Sequence, residues 1–192
     1  LMLGGFGYGN VEDKTDLSNT APQKDLIKSA VESGKLEDRN GYKYLPNTEN
    51  PYSGWAKETY DNGQVKYLTQ FKEGYALLTT SWYENGQKQT ELNIKDRKPD
   101  GFTLWWYENG QKEWEAIYKN GKLHGLRTSW YENGQKKSER NFKDAEMDGL
   151  NTTWHENGQK KSEGNFKDGE RDGVHIQYDK TGKETWRTSY FQ

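Results

Sequence analysis

A repeat of 24 residues runs through most of this 192-residue chain. The pattern W-[YH]-E-N-G-Q-K-K-S-E-x-N-F-K-D starts at Trp130 and again at Trp154. The glycine of its N-G-Q turn recurs at nearly constant steps, at Gly63, Gly86, Gly110, Gly134, Gly158 and Gly182. Such periods are typical of repeat architectures, in which each unit buries its apolar surface against its neighbours. The chain is therefore predicted to be an array of similar units.

Each unit contains two turn signals separated by stretches of about seven residues, a length that suits strands better than helices. Asn-Gly pairs such as Asn133-Gly134 predict two-residue type I′ hairpin turns. The second signal, Lys167 to Gly173, predicts a longer turn. One repeat is then one β-hairpin, and we expect a mainly β fold. It would be an elongated, twisted antiparallel meander of about twelve strands with a short N-terminal helical cap.

The predicted turn also fixes a strand register. In the hairpin around Asn133-Gly134, the expected cross-strand pairs are Trp130–Lys137, Thr128–Glu139 and Gly125–Phe142. The last pair places an aromatic ring over a glycine, a device that stabilises sheets. Equivalent pairs are predicted at Gly101–Tyr118, Gly149–Phe166 and Gly173–Tyr190.

The first forty residues differ from the repeats. Residues 1–19 are predicted to be a flexible N-terminus in which Leu1 to Gly9 is a remnant of a secretory signal, so that we expect export to the periplasm, outer membrane or cell surface. The alternative is a cytoplasmic location. Residues 20–40 are expected to form the helical cap, with a capping box from Thr20 and a helix from Pro22 to Ser33. The repeat domain is expected over 41–192.

Composition narrows the functional classes. The chain has 8 Trp, 13 Tyr and 6 Phe, and its 28 basic and 30 acidic residues are interspersed. Aromatic rows are therefore expected to replace an aliphatic core. A nucleic-acid partner is not expected, because phosphate binding needs a concentrated basic face. With no Cys in the chain, disulfides and thiolate chemistry are excluded.

Beyond the periodicity, the motif Y-x-E-N-G-Q-x-K-x-E-x-x-[FY]-K-[DN]-G-x-x-D-G resembles the MORN-repeat variant found in many bacterial proteins, from about Gly41 to Tyr190. The resemblance implies a repeat scaffold. Some proteins with such repeats are antitoxin-like or immunity-like, and related MORN repeats are linked to membrane-associated scaffolding. Arg97 and Ala145 depart from the pattern where glycine is usual, and local irregularity is expected there.

No residues point to catalysis, a cofactor or a metal. The three histidines, His124, His155 and His175, occupy different positions in the repeat, so no strand pair gathers them. The loop Asp168 to Gly173 lacks the alternating ligands of a calcium loop and is interpreted as a turn. We therefore expect no enzyme activity.

Aromatic residues are the candidate binding groups. The repeated row of Trp82, Trp106, Trp130 and Trp154 is expected to serve mainly as core. The predicted binding surface consists of Tyr67, Trp105, Trp114, Tyr131, His155 and Trp186. The first hypothesis is a non-enzymatic scaffold that binds another protein through this surface. The alternative is a module that binds a carbohydrate or a lipid surface through its aromatic rows.

Overall fold

The computed structural model describes residues 21–191, so the predicted signal remnant and the start of the capping box lie outside the described residues. Helix α1 (Ala21–Ser29) comes first, and a 3₁₀ turn spans Ser33–Lys35. The short N-terminal strands are β1 (Val31–Glu32), β2 (Glu37–Arg39) and β3 (Tyr42–Tyr44). The repeat strands are β4 (Gly54–Thr59), β5 (Val65–Lys72), β6 (Tyr75–Trp82), β7 (Lys88–Lys95), β8 (Lys98–Trp106), β9 (Lys112–Lys119), β10 (Lys122–Leu123), β11 (Gly125–Trp130), β12 (Lys136–Lys143), β13 (Glu146–Met147), β14 (Gly149–Trp154), β15 (Lys160–Lys167), β16 (Glu170–Tyr178) and β17 (Glu184–Tyr190).

The repeat strands and β1 together form one sheet of 15 strands, which confirms the predicted meander. From β4 to β17 each long strand pairs antiparallel with the next one, while β10 and β13 are short segments at the sides of β9 and β12. At the first edge, β1 pairs parallel with β4. Near residue 40, β2 and β3 form a separate two-stranded antiparallel sheet.

The Asn-Gly turns of the N-G-Q motif are not type I′, and this part of the prediction is wrong. In the hairpin β11–β12, Gly134 N donates to Tyr131 O and Tyr131 N donates to Gln135 O. Only the glycine has positive φ, at 81°. This is a type I turn closed by a glycine bulge. The bulge shifts the register, so Trp130 pairs with Lys136 rather than Lys137, whereas the predicted pair Thr128–Glu139 is confirmed.

The type I′ turns lie at the other end of each hairpin, where the sequence predicted a longer loop. Asp168 and Gly169 both have positive φ, 48° and 84°, as this turn requires. Arg97 and Ala145 keep the same conformation, with φ of 62° and 78°. The expected irregularity at these two positions is therefore wrong, because the left-handed backbone persists without glycine.

The predicted pairs of glycine with an aromatic residue are confirmed. Gly125 lies opposite Phe142, and the same pairing occurs at Gly101–Tyr118, Gly149–Phe166 and Gly173–Tyr190. Gly125 and Gly149 have φ of 88° and 108°, a backbone conformation that L side chains rarely adopt. Glycine at this point therefore allows the bend in the strand.

Both long margins of the sheet are joined from one repeat to the next. At the type I′ margin, Gly121 N donates to Pro99 O, and Ala145 N donates to Leu123 O at 2.8 Å. At the Asn-Gly margin, the Asn133 amide donates to Glu156 O at 3.1 Å. Hydrogen bonds between turns of adjacent units at both margins thus help to fix the position of consecutive hairpins.

Helix α1 covers the first repeats on one face of the sheet. Ala30, Leu68 and Trp82 form the buried cluster, with Ile27 and Trp55 packed against it. Leu68 is only 2% exposed. The helix ends at Ser29, four residues before the predicted end, because Val31 and Glu32 instead pair with β4. No helix within residues 21–191 is long and apolar enough to span a bilayer.

Beyond the helix, the same face is covered by charged side chains. We call it the Trp–Lys face. Lys112 lies 5.7 Å from the ring centroid of Trp130 in the next repeat, and its ammonium group also pairs with Glu115 at 3.1 Å. Lys136 and Trp154 repeat the arrangement at 5.3 Å. The tryptophan row is therefore shielded by lysine side chains where the helix no longer covers it.

Candidate binding groove

The opposite face of the sheet, the groove face, is crossed by one continuous row of paired residues. Cross-strand partners share a face of a sheet, so the strand register traces this row directly. It runs through Tyr67, Ser81, Thr90, Trp105, Trp114, Ser129, Ser138, Thr153, Ser162, Gln177 and Trp186. Four of the six predicted binding residues thus stand in a single line.

Small hydroxyl side chains form the floor between the rings of this row. Ser129 and Ser138 are buried and lie 2.7 Å apart through their hydroxyl oxygens. Thr153 and Ser162 form the equivalent pair in the next repeat at 2.6 Å. Within each pair the two hydroxyl groups hydrogen-bond to each other. Because these side chains are short, they leave open space above them.

Two cavities of about 300 Å³ each lie along the groove face. The first is lined by Trp114, Tyr131 and the floor serines, and the second reaches from Ser162 to Trp186. Arg140 and Thr153 line both cavities. The groove therefore extends over several repeats.

The six predicted residues differ in their surroundings. Trp105 and Trp114 stack with ring centroids 5.3 Å apart. Tyr131 lines the first cavity and Trp186 the second. Tyr67 lies on the same row but far from both cavities, close to Lys66. His155 lines neither of these cavities.

Tyr131 and His155 also belong to a ladder that links the repeats. The Tyr131 hydroxyl donates to Trp154 O at 2.8 Å, and His155 Nε2 lies 3.0 Å from Tyr178 O. Tyr60, Tyr83 and Tyr107 make the same bond to the carbonyl groups of Trp82, Trp106 and Trp130. Burial, followed by the charge of Glu156, raises the pKa of Tyr131. Of the rings in this ladder, Tyr107 and Tyr131 line the first cavity.

Two groove residues were missed by the reasoning from sequence. Arg127 and Arg140 are direct cross-strand partners, and the Arg127 guanidinium lies 5.1 Å from the ring centroid of Trp114. Burial and then the charge of Arg140 lower the pKa of Arg127. The corresponding positions of the preceding repeat are Thr103 and Ala116. In the following repeat they are Asn151 and Gly164, so both positions vary between repeats and the charged pair is confined to one hairpin.

The three histidines have different surroundings, and within residues 21–191 they share no contact. His175 is buried between Phe166 and Tyr190, and its Nε2 lies 2.7 Å from Asn165 O. His124 Nδ1 lies 3.8 Å from Asp144. Among the residues that the structure describes, no group of three or more histidine or carboxylate side chains is arranged to hold a metal ion.

Comparison with known families gives one result. Residues 78–96, 123–144 and 147–168 match the family described as MORN repeat variant. These segments cover three of the hairpins, and the stretch between the first two contains Trp105 and Trp114. MORN repeats are modules that bind proteins or membranes. None of the curated proteins matches the sequence.

Proposed function

We propose that this protein is a non-enzymatic scaffold that binds another protein along its groove face. The row from Tyr67 to Trp186 carries this proposal, because it aligns the rings that the repeat pattern does not require. Tryptophan, tyrosine and arginine are the residues that dominate the binding energy of protein interfaces. Here they lie beside a groove with a closed hydroxyl floor.

The way the sheet is held together supports a rigid binding surface. Hydrogen bonds at both margins join each hairpin to the next, through Asn133 on one side and Ala145 on the other. A surface fixed before binding loses less conformational freedom when the partner arrives. The groove can therefore bind without an ordering step.

The opposite face is a less suitable surface for the same role. Its tryptophans are covered by lysines that also pair with glutamates, such as Lys112 with Glu115. It does carry a stripe of exposed apolar residues, Phe102, Leu126, Leu150 and Val174. This stripe lacks the arginines and the cavities of the groove face, and it supplies a control surface for experiments.

A second candidate function rests on the stacked rings. Trp105 and Trp114 lie at an interplanar angle of 18° in the middle of the groove face. Flat aromatic surfaces of this kind also bind sugar rings. A carbohydrate partner would be indicated by binding to a glycan array that Trp114→Ala abolishes while the far-UV spectrum stays unchanged. Failure of every glycan to bind would eliminate this candidate.

Photocrosslinking tests the protein-binding proposal. A photoreactive phenylalanine analogue is placed at Trp186 or Lys137 on the groove face, and at Leu150 on the Trp–Lys face as the matched control. Irradiation in source cells is expected to produce one protein adduct of defined mass from the groove positions and none from Leu150. Adducts from Leu150 alone would show that the proposal has chosen the wrong face.

The setting of this interaction is part of the proposal. An exported protein would present the groove at the cell envelope, whereas a cytoplasmic one would use it to neutralise a toxin, as in antitoxin-like proteins. Fractionation of source cells with detection of the full chain distinguishes the two settings.

A further inference from the structure

Arg127 and Arg140 form an arrangement that is unfavourable in the free protein. They are opposite each other on β11 and β12, and like charges in this relationship destabilise a sheet. Within residues 21–191, neither guanidinium makes an ion pair. Trp114 offers Arg127 a ring face, which compensates only part of the repulsion. An anion between the two side chains would remove it.

Asn151 provides a second and independent observation. Asn151 is 7% exposed, and its Oδ1 accepts a hydrogen bond from Asn141 N at 2.8 Å. Its Nδ2 has no acceptor among the described residues. Leaving such a buried donor unpaired costs about 1–3 kcal/mol. Asn151 lines the second cavity together with Arg140, so the free N–H group and the guanidinium belong to the same site.

The surrounding charges reinforce the two arginines. The first cavity is lined by four cationic side chains and one carboxylate: Arg127, Lys137, Arg140, Lys161 and Glu113. The whole chain carries a net charge of −2, so this groove is a local exception. A concentration of one charge in a groove attracts partners of the opposite charge.

We propose that Arg127, Arg140 and Asn151 bind a carboxylate group in an acidic segment of the partner protein. The inference rests on the proposed protein-binding function and names the chemistry of the partner. A carboxylate accepts several hydrogen bonds at once, which suits two guanidinium groups and an amide N–H. The two cavities continue past Arg140 on both sides, which is more room than a single ion needs and fits an extended chain.

Binding of a defined probe tests this site. The probe is a fluorescein-labelled hexaglutamate peptide with blocked termini, and its anisotropy is measured with the full chain. The Arg140→Gln variant is expected to bind at least about tenfold more weakly, since a charged hydrogen-bonded partner is lost. Arg187→Gln is the matched control. It removes the same charge from the Trp–Lys face, where Arg187 pairs with Glu184 at 2.7 Å, and should leave binding unchanged.

A second variant separates binding from folding. Asn151→Asp retains the acceptor for Asn141 N and introduces a carboxylate beside Arg140. This internal carboxylate is expected to occupy the site, so that the peptide no longer binds while the melting temperature is retained or rises. Peptide binding by Asn151→Asp at the affinity of the unmodified protein would overturn the inference. Equal affinity of Arg140→Gln and the unmodified protein would have the same effect.

Competition experiments identify the source of the anion. Unlabelled hexaglutamate is expected to displace the probe. Hexaglutamine at the same peptide concentration is not, and neither is inorganic phosphate at a concentration equal to that of the glutamate carboxyl groups. Displacement by phosphate as effective as by hexaglutamate would overturn the assignment to a peptide carboxylate.

The inference and the proposed function can fail separately. Photocrosslinking of the partner that persists in Arg140→Gln would leave the groove as the binding face and refute the carboxylate site. Probe binding that depends on Arg140, combined with crosslinks only from Leu150, would retain the anion site and refute the proposed binding face.

Discussion

The Tyr131 hydroxyl donates a 2.8 Å hydrogen bond to the carbonyl oxygen of Trp154, which lies 23 residues further along the chain. The bond crosses from one hairpin to the next and is half-buried. Removing the hydroxyl in Tyr131→Phe leaves that carbonyl without its donor. We expect the free energy of unfolding to fall by about 1 kcal/mol, as measured by urea denaturation followed by circular dichroism.

Tyr118→Phe is the matched control for this prediction. Tyr118 is the cross-strand partner of Gly101, and its hydroxyl has no hydrogen-bond partner among the described residues. Its loss should change stability by no more than about 0.5 kcal/mol. Equal effects of the two substitutions would show that the link to Trp154 does not contribute to stability.

Ala145→Gly should stabilise the protein. Ala145 is the second central residue of a type I′ turn and has φ of 78°, a conformation that costs a residue with a Cβ about 1–2 kcal/mol. Glycine relieves this strain but increases the freedom of the unfolded chain, so the net gain should be about 0.5–1 kcal/mol. The reverse change at the equivalent turn, Gly169→Ala, should destabilise by a similar amount. Both are measured by denaturant titration.

Arg97→Gly at the corresponding turn should gain less. Arg97 also contacts the rings of Tyr42 and Tyr75 at 5.4 and 5.2 Å, and its Nη2 donates to Gly41 O at 3.1 Å. The substitution removes these contacts while it relieves the backbone strain of the turn. A gain as large as that of Ala145→Gly would mean that the contacts contribute nothing.

Gly164→Ala should be strongly destabilising. A methyl group at Gly164 would lie 2.1 Å from His175 Nδ1, and the ring is held by its bond to Asn165 O. Overpacking of this kind costs about 1–3 kcal/mol, visible as a lower denaturation midpoint. Gly34→Ala is the control, because no atom lies within 4 Å of the position of the added methyl group. Adding His175→Ser should remove most of the penalty specific to Gly164→Ala.

Glu163 should make stability depend on pH. Hydrogen bonds from Lys160 at 2.7 Å and from the Tyr178 hydroxyl at 2.6 Å lower the pKa of its carboxyl group in the folded protein. Its contribution is complete above the unfolded pKa of about 4.3 and disappears as pH falls through the lower folded pKa. Because the side chain is partly exposed, the contribution should not exceed about 1 kcal/mol.

The stability difference between the unmodified protein and Glu163→Gln should therefore shrink as the pH falls below the unfolded pKa of about 4.3. Urea midpoints measured across this range check the prediction. Tyr178→Phe, which removes one of the two donors, should reduce the pH dependence without abolishing it. A difference that grows on acidification would contradict the sign of the pKa shift.

The strand order and the pairs of glycine with a ring could be predicted because they depend on the period alone. Gly125 and Phe142 lie at fixed sequence distances from Asn133-Gly134, and equivalent residues lie at the same distances in the other repeats. The glycine–ring pairing found for one repeat therefore applies to the others. The turn types could not be predicted, since Asn-Gly is compatible with both. Contacts between repeats favour the type I form here: the Asn133 amide reaches the neighbouring turn, which local sequence does not reveal.

The groove was predicted in part. Trp105 and Trp114 were identifiable because they replace small residues at their positions in the repeat, and pairing brings them together. Arg127 and Arg140 are opposite each other in the predicted register as well. The aromatic pattern did not mark them, because neither position carries a ring. The role of Tyr131 and His155 in the ladder depends on bonds between units, which no single repeat discloses.

The sequence separation between Tyr131 and its hydrogen-bond partner Trp154 also restricts how such a chain can change in length. Duplicating or deleting one whole unit presents every turn with an equivalent neighbour, whereas an indel of several residues within a strand would move the donors on both margins away from their carbonyl partners. Evolution of this scaffold should therefore proceed in discrete increments, each adding or removing a hairpin's worth of surface. A designer could lengthen or shorten the protein by the same rule.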